Sequence, residues 1–119
     1  MNENAKLLKS LIGKELLFSD GAMGTLLQAE GMKGGEIPET WNITHPEVLT
    51  GIHTRYLNAG SNIITANTFG ANKYKLEHCE YDLDTLIGKG IDLVRTARDK
   101  FEKESNSVYA RTPHFAALD

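Results

Sequence analysis

The sequence predicts an α/β fold in which short parallel strands alternate with helices. Three observations carry this expectation. Apolar runs near residues 15–19, 62–66 and 114–119 have strand length. The spans between them hold helix-period patterns, and such alternation argues for a parallel sheet. The first two runs lead into polar, glycine-containing turns, Asp20-Gly21-Ala22-Met23-Gly24-Thr25 and Asn67-Thr68-Phe69-Gly70-Ala71-Asn72. In parallel α/β proteins the carboxyl ends of strands are where ligands bind.

Residues 5–13 read as a short helix with Leu7, Leu8, Leu11 and Ile12 on one face, ended by Gly13. Residues 15–19 read as a buried strand. Thr25 to Glu30 reads as a brief helix closed by Gly31. Gly31 to Trp41 is loop-like, broken by Gly34-Gly35 and Pro38. A longer helix follows, capped by Thr44 or His45, with Pro46 in its first turn and Glu47 at the positive dipole end. Val48, Leu49, Ile52, Tyr56 and Leu57 form its apolar face, and Gly60 stops it. The strand at 62–66 begins at once, as compact α/β units require. Residues 84–104 form the next helix, with Leu86, Ile87, Ile91, Val94, Ala97 and Phe101 inward. Gly88 and Gly90 count against it by about 1 kcal/mol each unless they permit close packing. A polar break from Glu102 to Asn106 precedes a third strand, His114 to Asp119.

Composition narrows the function classes. The chain has 119 residues, 40% hydrophobic and 24% charged, which fits a globular domain rather than disorder. A net charge of −3 gives no basic footprint for nucleic acid or an anionic membrane. No apolar run nears the roughly 20 residues that span a bilayer, and no signal-peptide core follows Met1. A cytoplasmic protein is expected. The one cysteine, Cys79, excludes an internal disulfide and a cysteine-rich metal cluster.

Several residues admit both a functional and a packing reading. Asp20 either contacts a substrate or caps its own turn. Gly21 and Gly24 suit turn geometry, a role compatible with close ligand approach. Asn67 and Thr68 either line a pocket or end a strand. The Gly-x-x-Gly-Thr pattern ending at Thr25 hints at phosphate binding, but it lacks the lysine of a P-loop. His53 reads as a packed or solvent-facing helix residue rather than a ligand. His78 and Cys79 are adjacent, so their side chains point apart. Trp41 reads as a packing anchor, and Arg95, Arg98, Lys100 and Lys103 as a solvated face.

Taken in order, these pieces resemble the homocysteine S-methyltransferase family, which includes the N-terminal domain of cobalamin-dependent methionine synthase and betaine–homocysteine methyltransferase. The matching residues are Asp20 to Thr25, Trp41-Asn42, His45-Pro46-Glu47-Val48, His53, Tyr56, Ala59-Gly60 and Asn67 to Asn72. The resemblance implies a (β/α)8 barrel in which zinc activates the homocysteine thiol for methyl transfer, giving methionine. It implies that Asp20, Gly21, Asn67 and Thr68 hold the amino-acid end of homocysteine. The methyl donor is implied to be methylcobalamin charged from methyltetrahydrofolate, betaine or S-methylmethionine, with cobalamin carried by other domains. The family's zinc ligands are downstream cysteines of a Gly-Gly-Cys-Cys type, and this chain has none, so no catalytic or metal residue is assigned here. Such a barrel takes about 250 residues. Residues 1–119 are therefore expected to form an incomplete, N-terminal portion of the barrel, inactive alone. Without zinc a thiol titrating near about 8.5 is only slightly ionised at neutral pH. Two other expectations stay open: a non-catalytic module that self-associates through open sheet edges, and an α/β protein that binds a phosphate ligand.

Overall fold

The computed structural model describes residues 2–104 and 114–117. In chain order it contains α1 (Glu3–Leu11), α2 (Gly24–Ala29), a 3-10 turn (Pro38–Thr40), α3 (Trp41–Thr44), α4 (Pro46–Ala59), β1 (Ile63–Thr65), α5 (Leu83–Glu104) and β2 (Phe115–Ala117). β1 and β2 are parallel, with Ile63, Ile64 and Thr65 opposite Phe115, Ala116 and Ala117. The chain before β1 adds a third parallel partner through one bridge, Ser19 to Ile63. The expected α/β alternation with adjacent parallel strands is present.

Local chemistry sets most helix ends. The Asn2 side chain accepts the Ala5 N–H at 2.7 Å, which starts α1 two residues earlier than the periodicity alone suggests. Asp82 does the same for α5, accepting the Thr85 N–H at 2.7 Å. At the end of α4, Gly60 has φ +113°, a left-handed conformation that glycine enters without strain. His45 occupies the N-cap position of α4 but makes no side-chain cap bond. Its ring stacks on Trp41 with centroids 3.8 Å apart, and its Nδ1 lies 2.7 Å from Thr44 Oγ1. The expected capping by Thr44 or His45 is thus replaced by a stack that joins α3 to α4.

The clearest departure lies at residues 15–19. The expected buried strand is a single bridge, and Leu16 and Phe18 are 78% and 56% exposed. Phe18 O accepts the Ile63 N–H at 3.0 Å, and the Asp20 N–H donates to Ile63 O at 2.9 Å. This segment is therefore the sheet's edge. With no neighbour on its far side among the described residues, an apolar run suited to a two-sided environment is left uncovered. α1 has no buried residue, and Leu7 and Ile12 are exposed, so its apolar face is only partly covered. The expected strand at 114–119 is described only over 115–117. Residues 118–119 and most of the polar break before it lie outside the described residues.

The core forms where α4 and α5 meet the sheet. Leu49 and Ile52 of α4 pack with Leu27 of α2, Met32, Trp41 and Leu93 of α5. Leu57 joins Ile64, Ala66 and Val94 in a second cluster, flanked by Phe101 and Ala116. Burial of each large aliphatic side chain contributes about 2 kcal/mol against leaving it in water. Leu93 belongs to the inward face of α5 although the helical stripe read from sequence omitted it.

The two glycines of α5 differ. A Cβ at Gly88 would meet nothing within 4 Å. A Cβ at Gly90 would lie 2.9 Å from Asn42 Nδ2 and 3.1 Å from Thr68 Cγ2. Close packing explains Gly90 alone, and the approaching groups come from α3 and the turn after β1 rather than the sheet. Alanine at position 88 is expected to stabilise the chain by up to about 1 kcal/mol. Alanine at position 90 is expected to destabilise it by about 2 kcal/mol through overpacking, despite better helix propensity. Urea unfolding of the two variants measures both, and equal effects would remove the packing explanation.

Candidate functional site

The site grows from the ends of two neighbouring strands. Asp20 ends the edge segment, and its carboxylate crosses to β1. Oδ2 accepts the Thr65 N–H at 2.9 Å, and the Thr65 hydroxyl reaches both carboxylate oxygens at 3.1 Å. Oδ1 also accepts the exposed Ser19 hydroxyl at 3.4 Å, a long contact that a better donor can displace. Past Asp20, the Tyr56 hydroxyl donates to Ala22 O at 2.6 Å. Gly21 makes room for this clamp, since a Cβ there would stand 3.1 Å from the Tyr56 oxygen. The turn then delivers Met23 and Gly24, where α2 begins.

The second turn is fastened by a pair of side-chain amides. Asn42 Nδ2 donates to Asn67 O at 2.9 Å and to Leu86 O at 3.2 Å. Asn67 Nδ2 donates to Pro38 O at 2.9 Å and to Asn42 Oδ1 at 3.1 Å. α3, α5, the 3-10 turn and the end of β1 are thereby tied at one point. Thr68 is buried beside it, and its hydroxyl has no partner among the described residues.

Both turns open on one hollow of about 390 Å³. Met23 and Gly24 line it from the first turn, and Asn67, Phe69 and Gly70 from the second. The segment Glu36–Glu39 forms a third wall, and Lys75 closes the rim. Glu36 is held below the usual carboxylate range by the Lys33 backbone N–H, helped by the Trp41 indole N–H, against a smaller effect of burial. Lys75 Nζ stands 5.6 Å from the centre of the Phe69 ring. Phe69 itself is 79% exposed. Two carboxylates and one ammonium around the hollow make a poor host for phosphate.

Asn67 therefore borders the hollow, though its side-chain amide is engaged elsewhere. Asp20, Gly21 and Thr68 lie on the same two turns but are not among the lining residues. Sequence reasoning gives Glu39 no part and Asn42 only a place among the residues that match the family, and both are buried. Asn42 lies just past the loop read from Gly31 to Trp41, where the sequence reading assigns no element. His53 is 1% exposed, and neither ring nitrogen has a partner among the described residues. Its position four residues after Leu49, on the apolar face of α4, was the available signal for packing. Zinc, which the family resemblance implies, finds no ligand set here. Among the described residues no group of three or more His, Cys, Asp or Glu side chains is placed to hold a metal, and Cys79 is free.

Comparison with known proteins bears on what the hollow holds. The family model described as homocysteine S-methyltransferase matches residues 17–118. The chain is 32% identical over 114 positions to a methionine synthase of Mycobacterium tuberculosis, an alignment covering 86% of this chain and 9% of that protein. It is 28% identical over 116 positions to betaine–homocysteine S-methyltransferase 1 of Pongo abelii, covering 92% of this chain and 29% of the relative. Among solved structures, the metallated form of the homocysteine methyltransferase MmuM from Escherichia coli superposes with a TM-score of 0.74 at 27% identity. That match covers 92% of this chain and 40% of MmuM, so the chain spans well under half of each relative's length.

His53 makes the stability of this region depend on pH. Burial pushes its pKa down from 6.5 to about 4, and the nearby Asp20 carboxylate opposes the shift without cancelling it. Between these values the unfolded chain binds the proton and the folded chain does not, so stability falls as pH drops from about 6.5 to about 4. The loss is expected to total about 3 kcal/mol. Denaturation of the wild type and of His53→Leu at several pH values tests this. Parallel curves for the two proteins across that window would refute it.

Proposed function

Since the chain belongs to the homocysteine S-methyltransferase family, we propose that it holds homocysteine as the methyl acceptor in a reaction that forms methionine. The observation that carries this reading is the convergence of the turns at 20–25 and 67–72 on one hollow between adjacent parallel strand ends. In this reading residues 1–119 are the first portion of a (β/α)8 barrel. Asp20 exchanges its long contact from the Ser19 hydroxyl for the substrate ammonium, and the Gly21 backbone approaches it closely. Asn67 keeps the second turn in place, and the unpartnered hydroxyl of Thr68 becomes a donor to the substrate once the turn adjusts. Fixing the amino-acid end at several points restricts where the sulfur lies, which is how positioning lowers a barrier.

Thiol activation by zinc belongs, in this proposal, to parts of the relatives that this chain does not span. The same holds for the methyl donor, whether methylcobalamin, betaine or S-methylmethionine. A cytoplasmic setting fits the single free cysteine. Among the described residues no helix is long and apolar enough to cross a membrane.

Asp20→Asn removes the charge and leaves one acceptor for Thr65. By calorimetric titration it is expected to weaken L-homocysteine binding at least tenfold, while the purified wild-type chain forms no methionine with zinc and S-methylmethionine. Undiminished affinity in the variant would count against the substrate role of Asp20, and zinc-dependent methionine formation would overturn the inactivity.

A second reading is favoured by the uncovered edge at Leu16 and Phe18. An exposed apolar sheet edge is a site for association, and we propose that isolated chains pair there. Size-exclusion chromatography is expected to show a concentration-dependent dimer that Leu16→Lys with Phe18→Lys abolishes. A monomer at every concentration would end this reading.

A further inference from the structure

Glu39 lines the hollow and is not among the residues carried over from the family. It stands in the 3-10 turn Pro38–Thr40, only 3% exposed, on the wall of the hollow. Its Oε2 is buried and has no hydrogen-bond partner among the described residues. The turn that carries it is rigidly placed, because Asn67 Nδ2 donates to Pro38 O and the Thr40 hydroxyl donates to Ile37 O. Gly70 lies against the carboxylate so closely that any side chain there would displace Oε1. Met23 and Phe69 supply apolar walls beside it. A carboxylate kept out of water without a partner is costly, and a cation entering the hollow relieves that cost. Lys75, on the same rim, stands over the Phe69 ring and makes no ion pair with Glu39 among the described residues.

We propose that Glu39 reads the cationic end of the ligand, an ammonium or onium group, and so determines which small molecules the hollow accepts. This rests on the reading of the hollow as a substrate site. The required chemistry is a positive charge on a compact group that fits against an apolar wall, with the carboxylate as counter-ion. Two sources share that chemistry: the α-ammonium of an amino acid, or the quaternary ammonium or sulfonium of a methyl donor. Lys75 lies on the same rim and suits the carboxylate of either zwitterion.

The test follows the Phe69 and Gly70 amide resonances of the 119-residue chain during three titrations. The probes are L-homocysteine, 4-sulfanylbutanoate, which lacks the ammonium, and tetramethylammonium chloride. At least one of the two cations is expected to shift these resonances saturably, while 4-sulfanylbutanoate does not. Glu39→Gln is expected to weaken that binding at least tenfold with a melting temperature no lower than that of the wild type. If the variant does not fold, the comparison of probes on the wild type decides alone. A response to tetramethylammonium without one to homocysteine supports the role of Glu39 and removes the homocysteine reading. Wild-type affinity in a folded Glu39→Gln overturns the inference, and leaves the homocysteine reading standing where Asp20→Asn still weakens binding. Equal responses to homocysteine and 4-sulfanylbutanoate, or no response to either cation, also overturn it.

Discussion

The paired side-chain amides of Asn42 and Asn67 are the constraint on which the rest of the site depends. Both residues are buried, so each unmatched donor or acceptor would be expensive. Each amide nitrogen makes two bonds, and together they reach Pro38, Leu86 and each other. The result is a polar knot where four pieces of chain meet. Gly90 lets α5 come close enough to share it. Hydrophobic clusters on the helices supply most of the stabilisation, but they do not set the position of a loop. The amide pair does, and the wall carrying Glu39 inherits its place from Pro38.

Much of the fold was legible in the sequence because it rests on local signals. Pro46 and Gly60 bracket α4, and the spacing of Leu49, Ile52 and Leu57 names its inward face. The first strand was misread for a physical reason. Its residues are apolar, yet whether an apolar run is buried depends on what lies on both of its sides. Leu16 and Phe18 have β1 on one side only, and no periodicity encodes that. α3 was missed because four residues are too few to show a helical repeat, and Trp41 drew attention as a packing residue instead.

The site was half legible. The two glycine-containing turns stand out by composition, and they do converge on one hollow. What each residue does there is a matter of partners distant in sequence. Asp20 finds Thr65, Tyr56 finds Ala22, and Asn67 finds Asn42. Glu39 falls within the stretch from Gly31 to Trp41 that reads as loop. Gly70 and Met23, which border it in the hollow, lie far from it along the chain.

The clasp between Asp20 and Thr65 joins residues 45 positions apart. Closing so long a loop carries an entropic cost that only later contacts repay. During synthesis the first turn would therefore stay unformed until the ribosome had released β1. One half of the recognition surface thus waits on the other.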